Sequence, residues 1–278
     1  MMNYIKAILL VIPLFTVNLK AQDKMELFPA ELNIQPFTAN FLEPKLGFIL
    51  KINNNELRLD IGNTIDILQY QLDESTSLSF GADMFTYTFL RGETDFHFPV
   101  DAVDYLFGFN GSWKKQIGDD SYGIRVRLSH ISAHFVDGHF DGKNGVWLDN
   151  RPPRVYSREF LELIPFYSWN SLRVYGGFTY IFHVDPINLG KDIYHLGFDY
   201  FSENILGDNL HFFAGYDLRI VNIYDYHGNN TLNLGIKLGK VHGRGISIYY
   251  KYYSGKNIHG EYFDYNEKHS ALGINLDL

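Results

Sequence analysis

Cysteine is absent from the 278 residues. That excludes a disulfide scaffold and every thiolate-held metal or haem. Positive charge is scarce: Lys and Arg number 24 against 32 Asp and Glu, a formal net charge of -8. Nucleic acid is thereby disfavoured as a partner, since phosphate binding needs basic surface. Beyond the first twenty residues no apolar run approaches the roughly 18 residues of a membrane-crossing helix. Aromatics are plentiful, with 23 Phe and 20 Tyr against 4 Met. Such a composition excludes a disordered chain and favours strands and membrane interfaces.

Residues 1–21 read as a secretory signal peptide. Lys6 is the basic element, Ala7 to Val17 the apolar stretch, and Leu19-Lys20-Ala21 the small-residue end, leaving Gln22 as the new N-terminus. A short N-terminal anchor is the alternative. The chain is therefore expected outside the cytoplasm. Residues 22–43 are expected to form a periplasmic N-terminal segment.

From about residue 44 the sequence alternates with period two between turn residues. Strands are predicted over 45–53, 56–71, 76–90, 101–116, 121–136, 158–169, 172–184, 192–203, 209–225, 230–241, 245–256 and 269–278. Turns are predicted at Asn53-Asn54-Asn55, Gly118-Asp119-Asp120, Asn170-Ser171, Gly207-Asp208-Asn209 and Gly228-Asn229-Asn230. The expected fold is all-β: one closed antiparallel transmembrane β-barrel of about 12 strands over 44–278. Many segments reach the roughly 9–11 residues that cross a bilayer at a tilt. In Ala271–Leu278 the even positions are all Leu or Ile and the odd ones Ala, Gly, Asn and Asp. A soluble secreted barrel or sandwich is the competing reading, because alternation alone does not say whether lipid or a second sheet covers the apolar face. Lipid cannot satisfy an open sheet edge, so a membrane sheet must close. The expected location is the outer membrane of a Gram-negative bacterium, with insertion by the barrel-assembly machinery. Oligomeric state is left open. With the N-terminus in the periplasm, the longest connection, 137–157, falls outside the cell.

Residues 124–136, IRVRLSHISAHFV, carry the candidate chemistry. Alternation puts Ile124, Val126, Leu128, His130, Ser132 and His134 on one face. Arg125 and Arg127 fall on the other, which must be the lumen, because an Arg at the bilayer midplane costs roughly 2–4 kcal/mol. His130 and Ser132 then face lipid near the outer end of the strand, where a His can take the proton of a Ser hydroxyl. The bland alternative is a polar interfacial patch, with His134 as a further member.

A lipid-facing His-x-Ser pair resembles the active sites of outer-membrane phospholipase A and of the lipid A deacylases. The resemblance implies hydrolysis of an acyl ester in phospholipid or lipid A, with an Asn or Glu orienting the histidine. Asn144 has the families' twelve-residue spacing from Ser132 but falls in a loop. Glu159 starts the next strand on the same face. Either stands as the third member beside His130 and Ser132. The residues following the families' serine are replaced here by Ala133-His134.

A wider likeness rests on Leu27-Phe28-Pro29-Ala30, Pro36 and Glu43-Pro44-Lys45; on His130-x-Ser132-x-His134 with Asp137; and on Arg173-x-Tyr175-Gly176-Gly177 with Asp185-Pro186. These resemble the exported bacterial family called domain of unknown function 1207. The likeness implies an outer-membrane-type barrel without an assigned activity.

No cofactor is called for. Asp137, Asp141 and Asp149, interleaved with glycines in 137–157, could hold calcium, but no EF-hand spacing is present and a solvated acidic loop is favoured. The remaining histidines show no metal-ligand spacing and are expected in girdle or loop positions. Arg58, Arg91, Arg125, Arg127, Arg173 and Arg219 are expected to line the lumen opposite Asp60, Asp83, Asp104, Glu162 and Asp217, plugging it more often than conducting. A non-enzymatic barrel, either a small channel or a structural component, is the alternative function.

Overall fold

The computed structural model describes residues 24–202 and 209–278. The signal peptide expected over 1–21 and most of the turn expected at 207–209 lie outside the described residues. The strands in chain order are β1 (Met25–Leu27), β2 (Leu46–Lys51), β3 (Glu56–Gln71), β4 (Thr76–Arg91), β5 (Val100–Ile117) and β6 (Asp120–Phe135). Two short strands, β7 (Phe140–Asp141) and β8 (Val146–Trp147), form a separate hairpin in the longest loop. The wall continues with β9 (Tyr156–Trp169), β10 (Leu172–Asp185), β11 (Asp192–Phe201), β12 (Leu210–Ile223), β13 (Asp225–Gly239), β14 (Gly245–Lys256) and β15 (Asn266–Asp277).

Each wall strand pairs antiparallel with its neighbours, β15 pairs with β2, and β3 pairs with both β2 and β4. Twelve strands thus close a barrel, as the alternation predicts, and β1 adds to β3 beyond the end of β2. Closure leaves few open ladder groups for lipid to meet. Side chains alternate strictly: on β6 Arg125, Arg127, Ser129, Ile131 and Ala133 are buried, while Leu128 and His134 are exposed. Outward residues such as Phe107 at 54% and Leu196 at 63% exposure are too apolar and too continuous around the wall for a surface in water. Tyr70, Trp113, Tyr122, Tyr167 and Trp169 sit near one end of the wall, with Trp113 edge-on to Tyr122, as an interfacial girdle does.

One predicted turn is displaced. Gly228-Asn229-Asn230 lies inside β13, paired with Ile220, Arg219 and Leu218, and the chain reverses instead at Tyr224, whose φ is 62°. The asparagines are strand residues because their amides are used: Asn229 accepts from the Lys256 N–H at 2.8 Å and Asn230 from the Tyr216 hydroxyl at 2.7 Å.

The interior is filled from both ends. Residues 33–43, set outside the barrel by the sequence as a periplasmic segment, run within it, and Phe37, Asn40, Leu42 and Glu43 are buried. Glu43 accepts from the Arg125 guanidinium at two oxygens and lies 3.4 Å from Arg127. Arg127 also meets Asp83 at 3.0 Å and Glu162 at 3.5 Å. Phe37 is flanked by the guanidinium groups of Arg125 and Arg173 at 4.7 and 4.4 Å. Nothing in residues 33–43 signals lumen binding by period; Glu43 enters because buried arginines need a carboxylate.

From the other end, the loop between β14 and β15 folds inward. His259 Nδ1 donates to Asp104 at 2.7 Å, and the Gly260 N–H to the same carboxylate at 2.7 Å. Gly260 is required there: a Cβ would come within 2.2 Å of the Tyr156 ring and 2.6 Å of Ala133. His195 lies between Glu162 and Asp217 at 3.8 and 3.9 Å. His195, on β11, is thus a lumen residue and not the girdle or loop residue expected, while His259 is the loop residue expected but on a loop folded into the lumen, where the barrel's inward acids hold both.

Candidate active site

The site is built by register. β6 presents His130, Ser132 and His134 outward, and β9 presents Ser157 and Glu159 beside them. The ladders set Phe107, His130, Glu159 and His183 in one row across β5, β6, β9 and β10. The next row toward the loop end is Tyr105, Ser132, Ser157 and Asp185.

His130 Nδ1 lies 2.5 Å from Glu159 Oε1, and His183 Nδ1 lies 2.5 Å from Glu159 Oε2. An ionised carboxylate only accepts, so each Nδ1 carries the hydrogen. The neutral His130 ring then keeps its lone pair on Nε2, the nitrogen a base must use. Phe107 covers the imidazole, with ring centres 4.9 Å apart. Side chains of His130 and Glu159 are 27% and 28% exposed, so the pair is shielded yet reachable.

Ser132 shares the outward face of β6 with His130, roughly 7 Å away at Cβ by strand geometry. Among the described residues no hydrogen bond joins them. Such bonds often tighten only when substrate is present. Of the two candidates for the third member, the structure brings Glu159 to His130 and leaves Asn144 elsewhere. Asn144 sits in the β7–β8 turn, donating to Asp141 through its N–H at 3.1 Å and its amide at 2.6 Å. The Lys143 N–H takes Asp141 as well, so the aspartate considered for calcium is committed to its own turn. His134 faces outward beside Tyr105, with ring centres 6.2 Å apart, and is outside the His130–Glu159 row. Arg125, Arg127 and Arg173 all face inward, Arg173 pairing with Asp199 at 3.0 Å.

The sequence reading missed His183 and Ser157. His183 escapes simple alternation because the β9–β10 register slips between Ile181 and His183. Without that bulge, Phe182 would stand opposite Glu159. Ser157 escapes because the predicted strand begins at 158, one residue too late.

A closed wall of amphipathic strands with an apolar exterior defines an outer-membrane-type β-barrel. The model of the family described as "Protein of unknown function (DUF1207)" matches residues 100–278, and the chain belongs to that family. No curated protein matches the chain. Among solved structures, outer membrane phospholipase A from Escherichia coli is similar in fold, with a TM-score of 0.55, 14% identity, and coverage of 87% of this chain and 99% of that one. The outer membrane phospholipase dimer of Salmonella typhi, with bound calcium, gives a TM-score of 0.52, 14% identity, and coverage of 88% and 94%. At this identity the likeness concerns the fold.

Proposed function

We propose that this protein is a serine-dependent acyl-ester hydrolase of the Gram-negative outer membrane, acting on phospholipid or the lipid A moiety. The observation that carries the reading is the 2.5 Å bond from His130 Nδ1 to Glu159, on the lipid face and two residues from Ser132. Substrate arrives laterally from the leaflet. Ser132 Oγ attacks the ester carbonyl and its proton passes to His130 Nε2. His130 returns the proton to the departing alcohol oxygen, leaving an acyl-serine. Water, deprotonated by the same nitrogen, releases the fatty acid. Glu159 fixes the tautomer and steadies the imidazolium that forms.

The filled lumen supports this over a passive channel. Arg127 and Glu43 are wholly buried at its middle, and the two flanking plugs leave the outward face as the place for chemistry. The test is fatty-acid release from labelled phospholipid and lipopolysaccharide by the purified protein and its Ser132→Ala form. Release by the parent and none above background by the variant is expected; equal release from both would end the proposal.

A further inference from the structure

The wall of the barrel is incomplete on one side. β2 pairs with β3 only over Glu56–Ile61, and β1 only over Leu68–Tyr70. Between them β3 has no strand on that edge among the described residues; Phe28 donates its N–H to Ile67 at 3.0 Å, and residues 62–66 are left open. Tyr70, in the aromatic girdle, lies beyond this stretch on the same strand. The opening therefore lies on the membrane side of the girdle, within the leaflet nearer Leu278.

Behind the opening is a cavity of about 1160 Å³. That exceeds the roughly 300–1,000 Å³ of ordinary small-molecule pockets. Its wall at the gap includes Asn63, Ile65, Leu46 and Leu276, and its inner end is closed by Phe37 and the arginines around it. The cavity is thus closed at its inner end, half apolar, and open both at the rim of the barrel, where Asn170 and Gly243 line it, and sideways at the gap in β3. Its paired charges, Arg173 with Asp199 and Lys237 with Asp277, are spoken for. Asp66 accepts from the Asn33 N–H and from Gln69. Lys45 and Arg244 line it with no carboxylate within salt-bridge distance among the described residues; the only hydrogen bond of the Lys45 ammonium is 3.4 Å to the Thr38 carbonyl. Two polar atoms on its wall, His211 Nε2 and Asn233 Oδ1, are buried and have no partner among the described residues. Asn233 Oδ1 only accepts and His211 Nδ1 faces the Ser202 carbonyl at 3.3 Å, so neither residue offers a built-in donor for an anion, which is left to Lys45 and Arg244.

We propose that this vestibule binds a long-chain anionic amphiphile, which enters through the gap in β3 with its acyl chain against Ile65, Leu46 and Leu276 and its carboxylate or phosphate at Lys45 and Arg244. The site lies at the opposite end of the barrel from the His130–Glu159 row and does not depend on the proposed hydrolysis.

Because the chain has no cysteine, single labels report cleanly. The full-length Asn63→Cys and Leu196→Cys proteins, each labelled with a fluorophore in neutral detergent, are titrated with doxyl-stearic acid and with doxyl-labelled phosphatidylglycerol. Leu196, on the far wall, is the control. Saturable quenching at position 63 and only weak linear quenching at 196 is expected. The probe that saturates identifies a free fatty acid or a phospholipid as the source. Lys45→Ala with Arg244→Ala should weaken the anionic probe by about tenfold, the value of one charge-assisted hydrogen bond, and leave doxyl-stearate methyl ester unchanged. Equal, unsaturable quenching at the two positions with both anionic probes overturns the proposal. So does an affinity that the double substitution leaves unchanged.

Discussion

At the scale of single residues, two carboxylates do opposite work with the same chemistry. Glu159 sits on the lipid face and gathers two imidazole N–H groups, at 2.5 Å each. Replacing it by Gln removes the anion that orients His130. Ester hydrolysis is expected to fall by about a hundredfold or more, within the range assigned to a positioned base, and release assays on folded protein check this. His183→Ala removes one bond to Glu159 and not the base, so a loss of less than about tenfold is expected in the same assay. Glu43, by contrast, neutralises Arg125 and Arg127 inside the lumen. Glu43→Ala leaves two buried guanidinium groups each one partner short. Breaking a buried pair in this way costs about 3–5 kcal/mol, to be read as a lower urea midpoint in detergent. The candidate base and serine could be named from alternation alone, since period two is a local property. His183 could not, because the bulge before it changes which residue faces Glu159.

At the scale of elements, the long loop after β6 is held to the barrel by His139. Its ring stacks on Phe135 with centres 4.0 Å apart, and its Nδ1 is 3.4 Å from the Tyr262 hydroxyl. Burial pushes the His139 imidazole below its ordinary range, with Arg91 and Arg151 adding to the effect against the opposing pull of Asp149. A depressed histidine stabilises the folded loop fully above the ordinary value of about 6.5 and loses that contribution as pH falls below it. The loop is therefore expected to loosen on acidification from pH 7 to 5. Trp147, in the same loop with its ring 6.4 Å from His139, reports this as a fluorescence change. The change should vanish in Trp147→Phe; a pH-independent signal from Trp147 would sink the idea. The loop's existence was legible from its glycines and aspartates, but its docking was not, since Phe135 and Tyr262 are far apart in the chain.

At the scale of the whole molecule, the barrel is a ring of strands, notched beside β3, around a charged interior that is plugged at its centre. The N-terminal segment supplies Phe37 and Glu43, and the loop between β14 and β15 supplies His259 and Gly260. Wild-type protein in planar bilayers is expected to show no steady ion current. Deleting residues 33–43 should open one, because it removes the carboxylate and the ring that close the centre and leaves cationic walls. A steady current through the intact protein would contradict the sealed interior.

Strand number, closure, the lumen-facing arginines and the lipid-facing His130 and Ser132 follow from the sequence by itself, because alternation and the cost of charge in hydrocarbon act residue by residue. Only the tertiary structure decided that Glu159 and not Asn144 meets His130, that His183 joins them, that residues 33–43 fill the lumen, and that β3 is open over 62–66. Each of these depends on register summed around a closed sheet or on one segment finding buried charge far away in the chain, and neither quantity is written in any local pattern.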